Sequence, residues 1–465
     1  MSSTTNDSVS SPAIQVPEAG RQLLRKLLAE SPRPDGVPST TIPPRADSIL
    51  PDLNDLVPLV HAAGECQTLA DLLKPYFETG SRGLPRINGR VITWRIDEYL
   101  GGLCALERCR PAPWIKRARE AAWTELQERA TRPESPVLTM GFEDDARDAW
   151  PAVSPWSMGL AEVLLTEQAL NSEALAKRML TWWTQDPVFK RWGVFPTRTR
   201  PKGSIWNWIW LHGPGELLPK LNELANTQFY YLSGRYRILG RLLPQLPIGP
   251  HFQCMKPNTN LLFSLLEWAA QKKEEVPTKA LDHFIARLPE TFLRNGYIHQ
   301  RWSPRRGPQE PHLSAQFALI DLLCDLYYRV SRRPEHLALA ETLAQNWWQH
   351  RWANGFVPST LNDSEAHLDD QTDFSISLWR LWELTENPEY KAWSQSLFDA
   401  VTARARSKNF AGYYCERVRR DGPAVERGYV SVKYNALLLK GFIRQSNPGI
   451  SSFSNPAFHE LMKDR

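Results

Sequence analysis

Long apolar runs are missing from this chain. No stretch of about 18 uncharged apolar residues occurs in it, so no membrane span is expected. The opening MSSTTNDSVSSPAIQVPEAG has no basic segment followed by an apolar run, so a secretory signal is not expected either. Cysteine is scarce. Cys66, Cys104, Cys109, Cys254, Cys324 and Cys415 form no CxxC pair, a usage expected of reduced thiols in a cytoplasmic protein rather than of a disulfide frame or zinc site. Excess charge is slight at +5, with no basic module of the kind nucleic-acid binders carry, so no nucleic-acid partner is expected. A P-loop, a GxSxG elbow, an HExxH motif and a dinucleotide fingerprint after a strand are all absent. Neither a cofactor nor a bound metal is therefore implied.

What is present is apolar and aromatic. The 42% hydrophobic content suffices for a large core, and 19 Trp exceed what core packing needs. Residues 1–48 are rich in Ser, Thr, Pro and Asp and read as a disordered or strap-like arm with one amphipathic piece at Arg21–Leu28. Residues 53–78 read as one or two short helices broken at Pro58. Beyond Thr93 two series of helices alternate. One begins near 94, 156, 206, 258, 312, 367 and 428, and its members are apolar on nearly every side, as in LLFSLLEWAA. The other, near 114–130, 172–184, 227–243, 277–293, 333–350 and 388–405, is amphipathic, as in KRAREAAWTELQERA. Helices apolar all round are buried, and amphipathic ones face water. With no βαβ alternation, the pattern predicts an all-α toroid of six or seven (α/α) hairpins. It would occupy residues 49–450 as one domain, with 451–465 as a C-terminal tail.

A repeated phrase organises the later units. Asn295-Gly296-Tyr297 precedes His312-Leu313-Ser314-Ala315-Gln316, and Asn354-Gly355-Phe356 precedes His367-Leu368-Asp369-Asp370-Gln371-Thr372-Asp373. A looser copy runs from Gly412-Tyr413 to Glu426-Arg427-Gly428-Tyr429. Such Gly-aromatic segments predict short β-turns at one end of the ring. Whatever fills them must carry the function.

Asp369 and Asp373 are about one helical turn apart and share a face, while Asp370 is turned by roughly 100°. One acidic cap is ordinary and worth up to about 1 kcal/mol. Three carboxylates beside His367 exceed that need, and adjacent carboxylates drive their pKa values apart, which makes an acid and a base of them. His312 and His367 hold equivalent places, and imidazole serves as a base near neutral pH. Tyr413 is a further candidate acid. His299, Arg301, Arg305 and Arg306 in one turn, and Arg417, Arg427 and Tyr429 in another, either form a solvated loop surface or hold carboxylate or sulfate groups bidentately. Trp206 and Trp208 would stack on sugar rings if their segment is extended, and join the core if it is helical.

The hairpin phrase SLWRLWELTENPEYKAWSQSLFDAV resembles the repeat of the (α/α) toroid carbohydrate-active enzymes, that is, glycosidases, polysaccharide lyases and sugar epimerases. The resemblance covers about residues 94–445. It implies a cleft at the inner-helix N-termini, lined by the loops before 156, 206, 258, 312, 367 and 428. The Asp369-Asp370 pair resembles the catalytic dyad of certain toroid endo-mannanases. The resulting expectation is an enzyme acting on an anionic oligo- or polysaccharide by hydrolysis, β-elimination or epimerisation. Asp369 and Asp370 would be acid/base or nucleophile, Asp373 would tune them, and His312 and His367 would assist.

Two other readings stay open. The strings Asp144-Asp145-x-x-Asp148 and Asp369-Asp370-x-x-Asp373 match the DDxxD of Mg²⁺-dependent prenyl-diphosphate enzymes. However, the first string lies in a loop with Pro on either side, and neither has an Arg-rich partner. In a non-catalytic glycan-binding scaffold, the same Asp and His residues would only cap helices. Sugar, linkage and oligomeric state are open.

Overall fold

The helix Leu368–Thr385 shows how the interior is made: from Asp370 to Leu381 every residue is buried, so no face is left for water. Its neighbour Pro334–Trp348 instead buries a stripe, Ala340, Leu343, Ala344 and Trp347, at the i, i+3, i+4, i+7 spacing of a surface helix. The computed structural model describes residues 13–33, 39–44, 53–79, 84, 90–92, 96–129, 141–143, 159–195, 253–272, 274–303 and 307–463. Among these, seven inner helices close a ring: Leu53–Ala63, Ile96–Cys109, Gly159–Thr166, Met255–Lys272, Leu313–Asp325, Leu368–Thr385 and Val432–Ser446. Each packs on the next and the last returns to the first. Outside them lie Cys66–Thr79, Pro113–Arg129, Glu173–Thr184, Glu275–Arg287, Pro334–Trp348, Pro388–Arg404 and, against the last inner helix, Glu18–Glu30. This is the all-α toroid of hairpins. No helix of the described residues is long and apolar enough to cross a membrane.

The inner helix expected near 206 lies outside the described residues. Gly159–Thr166 packs directly on Met255–Lys272, and the seventh place in the ring belongs to Leu53–Ala63, within which Pro58 sits without ending the helix.

An amide clamp repeats at one end of the ring. In four of the inner helices the fourth residue is Asn or Gln, and its side chain accepts from the N–H and donates to the C=O of one residue in a Gly-x-x turn. Asn258 holds Phe195, Gln316 holds Ile298, Gln371 holds Val357, and Asn435 holds Tyr414, all at 2.5–3.1 Å. Two groups on the chain that would otherwise be buried unpaired are thereby satisfied in each turn. The glycines that open these turns, Gly193, Gly296, Gly355 and Gly412, have φ of 67°, 76°, 98° and 86°. At Gly355 a Cβ would also lie 2.8 Å from that of Ala400.

Units are stitched to one another at the same end. The N–H of Leu313 donates to Ser359 O (2.8 Å), that of Leu368 to Glu416 O (2.9 Å), and that of Val432 to Thr40 O (2.9 Å). Two inner helices thus dock on the turn of the following unit, and the last docks on the N-terminal arm. Thr41–Ile42 pairs antiparallel with Val430–Ser431, and Asn447 clamps the backbone of Gln15. The arm therefore supplies the half-unit that closes the ring.

The opposite end is closed by residues 451–463, which the sequence reads as a tail. Phe458, Leu461 and Met462 are buried there, each worth about 1.5–3 kcal/mol by removal from water. Lys463 pairs with Glu162 (2.8 Å) and Glu267 (3.8 Å), and Ser452 N donates to Glu383 (3.1 Å). Arg380 spans Asp321 (3.2 Å) and Asp325 (2.5 Å) across two inner helices. Charges buried inside a ring must be paired in this way.

Candidate active site

Register brings the candidate residues together. Glu365–His367 pairs antiparallel with Arg417–Arg419, so that Arg417 stands opposite His367. With Leu368 docked on Glu416 O, the first turn Asp369-Asp370 meets Glu416 and Arg417 of the next unit. One ligand atom from each of His367, Asp369 and Asp370 lies within 4.8 Å of the others, a group that could hold a divalent cation. Asp369 Oδ1 is buried with no hydrogen-bond donor among the described residues.

Electrostatics tie further groups to this cluster. Burial, and then the charges of Asp369 and Glu416, raise the pKa of Tyr434, which stands in the first turn of the last inner helix. Burial raises Glu416 against the pull of Arg427, which donates to it at 2.8 Å and to the Tyr429 hydroxyl at 2.9 Å. Glu416 and Tyr434 were not singled out in the sequence. Both arrive from other units through strand register and ring closure, and sequence spacing carries neither.

The two histidines are wired differently. His312 caps its helix: its Nδ1 accepts from Ser314 N (3.1 Å) and sits 2.8 Å from Ser314 Oγ. This geometry puts the ring proton of the neutral form on Nε2. Among the described residues the His367 ring makes no cap bond, and its backbone N–H donates to Ser359 Oγ at 3.4 Å. Burial lowers both pKa values. For His367 the Arg417 charge adds to this, while for His312 the carboxylates of Glu310 and Asp363 oppose it. The two rings lie within electrostatic reach of each other.

Other expected residues fall elsewhere. Tyr413 is not in the cluster: it is buried, its hydroxyl donates to Glu30 (3.0 Å), and Lys26 lies over its ring at 4.7 Å. The turn tyrosine serves as a bolt to the outer ring, as Tyr297 does through Asn346 O and His350. His299 is buried with Nδ1 against Phe292 O (3.2 Å) and Tyr297 O (3.1 Å), so the turn itself uses the ring. Arg301 pairs with Glu310 (3.3 Å) across the hairpin Tyr297–Ser303/Gly307–Pro311. Arg417 pairs with Glu365 (3.2 Å). Within the cluster Asp370 is only 4% exposed, and Asp373, one turn on, 6%. Arg305, Arg306, Trp206 and Trp208 lie outside the described residues, as does the DDxxD string at 144–148.

No protein-family model matches the chain, and no curated protein matches its sequence. Solved structures do match in fold. A D-mannose isomerase superposes with a TM-score of 0.57 at 9% identity, over 94% of this chain and 100% of that one. A cellobiose 2-epimerase from Bacillus thermoamylovorans gives 0.55 at 10% identity, over 82% and 98%. A GH76 α-mannanase from Bacteroides thetaiotaomicron gives 0.50 at 10%, over 84% and 98%. At such identities the likeness is one of fold: the chain has the toroid architecture of these enzymes.

Proposed function

We propose that the protein is a sugar isomerase or 2-epimerase, which moves a proton at the carbon beside the carbonyl of an open-chain sugar. The observation that carries this reading is the pair of differently wired histidines at the N-termini of adjacent inner helices, both with pKa values lowered by burial. His367, whose ring is uncommitted, takes the proton from C2. The electron pair moves to the carbonyl oxygen, which receives a hydrogen bond or a proton from His312 Nε2–H, a neutral imidazole acting as electrophile. Returning the proton to the other face of C2 gives the epimer, and returning it to C1 gives the ketose–aldose isomer. Asp369 and Glu416 accept hydrogen bonds from sugar hydroxyls. Arg301, Arg417 and Arg427 pair with Glu310, Glu365 and Glu416, which favours a neutral sugar over the anionic one expected from the number of arginines. The names of the mannose isomerase and the 2-epimerase agree with this chemistry.

Hydrolysis is a second reading. It draws on Glu416, raised by burial as a general acid requires, with Asp369 as its partner. The deciding experiment is incubation with neutral aldoses, ketoses and disaccharides in heavy water, followed by mass spectrometry and chromatography. Isomerised or epimerised product carrying one deuterium supports the proposal. Products that have gained water without deuterium at carbon move the assignment to a glycosidase, and an unchanged broad panel removes the proton-transfer reading.

A further inference from the structure

A second group of ligating side chains lies at the far end of the ring, where the inner helices finish. His61 stands in the last turn of Leu53–Ala63, Cys66 opens Cys66–Thr79, and Cys109 closes Ile96–Cys109. One ligand atom of each lies within 4.8 Å of the other two, and His61 Nδ1 is 3.8 Å from Cys66 Sγ. A tetrahedral ion with bonds of about 2.3 Å to sulfur and about 2.0–2.1 Å to nitrogen sets its ligand atoms about 3.5–3.8 Å apart. The observed spacing is close to that edge.

The fold holds the three in place from both sides. The turn between His61 and Cys66 is closed by Gly64 N to His61 O (3.0 Å) and Glu65 N to Val60 O (2.9 Å). Gly102 lets the Cys109 helix approach the His61 helix so closely that a Cβ would lie 2.8 Å from the backbone carbonyl carbon of Leu53. Beside the group opens a cavity of about 630 Å³, walled by His61, Cys109, Arg108, Asn455 and Glu460. Three protein ligands with one side open to a cavity is the arrangement of a zinc site that keeps a water or a small ligand in its fourth position.

We propose that His61, Cys66 and Cys109 bind one thiophilic divalent ion of the zinc class, with its fourth position facing this cavity. The site is separate from the histidine pair at the other end, and neither proposal depends on the other.

The test uses the full chain, reduced, stripped with chelator and titrated anaerobically with Co²⁺. One equivalent is expected to bind, with intense tetrahedral d–d bands and thiolate-to-cobalt charge transfer, and Zn²⁺ should bleach both. His61→Gln changes an exposed side chain and should fold normally while weakening Co²⁺ binding at least tenfold. Cys109→Ser should abolish the charge-transfer band, and Cys324→Ser, a buried thiol elsewhere, should leave it intact. Helical circular dichroism checks each variant. Absence of the charge-transfer band, its survival in both His61→Gln and Cys109→Ser, or a Cys66–Cys109 disulfide as the stable form of the freshly isolated protein would overturn the proposal.

Discussion

Gln316 and Gln371 hold their turns with the same two bonds, and Leu313 and Leu368 each dock on a carbonyl of the following unit. Between that Leu and that Gln stand Ser314-Ala315 in one unit and Asp369-Asp370 in the other. Ser314 brings its hydroxyl and its N–H to the His312 ring and so fixes where the ring proton sits. Asp369 brings a charge to His367 and no comparable cap. The scaffold is thus written in the outer letters of His-Leu-x-x-Gln, and the division of labour between the two rings in the inner ones.

The comparison breaks most visibly if the rings are removed one at a time. His367→Gln is expected to lower kcat by about 10³-fold or more, within the range for a lost general base, and to abolish deuterium exchange at C2. His312→Gln keeps a neutral N–H donor and should cost about tenfold to a hundredfold. Equal losses in the two variants, measured by single-turnover exchange, would erase the proposed asymmetry.

The shared scaffold should fail alike in both units. Gln371→Ala and Gln316→Ala each remove the side-chain partner of a backbone N–H and a C=O in a buried turn, Ile298 O keeping a long bond from His312 N (3.4 Å), at about 1–3 kcal/mol for each group left unsatisfied. Urea unfolding should place both variants below the parent by about 1–6 kcal/mol, the range for one to two such groups. A loss confined to one of them would mean that the clamp is not an equivalent part of each unit.

The finest distinction lies in pH. Burial and the Arg417 charge lower the His367 pKa, so the base remains neutral, and active, below its ordinary value of 6.5. Arg417→Gln removes one of the two causes. The acid limb of kcat/KM should therefore move up toward 6.5, by under about one pH unit, with the alkaline side unchanged. A shift in the opposite direction would exclude His367 as the group that titrates.

Helices apolar on every side and the repeated His-Leu-x-x-Gln phrase were legible in the sequence, because burial and repetition leave marks along a chain. Ring membership was less so. The distance from the clamped turn residue to its amide is 18, 14 and 21 residues in three units, but 63 from Phe195 to Asn258. Counting by regular intervals therefore left out of the ring Leu53–Ala63, which packs on Ile96–Cys109 and on Val432–Ser446; the helix expected near 206 lies outside the described residues. Tyr413 looked like a cleft residue because its turn is at the correct end, but a turn has two sides and this ring faces the outer helix Glu18–Glu30. Glu416 and Tyr434 could not be read at all, since they reach the cluster only when strands from different units pair. The same holds for His61, Cys66 and Cys109, whose three elements meet only in the folded ring.

The helix Glu18–Glu30 buries Leu23, Leu24, Leu27 and Leu28, and its principal support is the inner helix Val432–Ser446. On a ribosome these partners emerge some four hundred residues apart. Throughout that interval a stripe of four leucines lacks its main cover, and the ring has a gap that only late-made chain can fill. The nascent protein must therefore be guarded, by a holding chaperone or by non-native burial of its own arm, until synthesis passes residue 446.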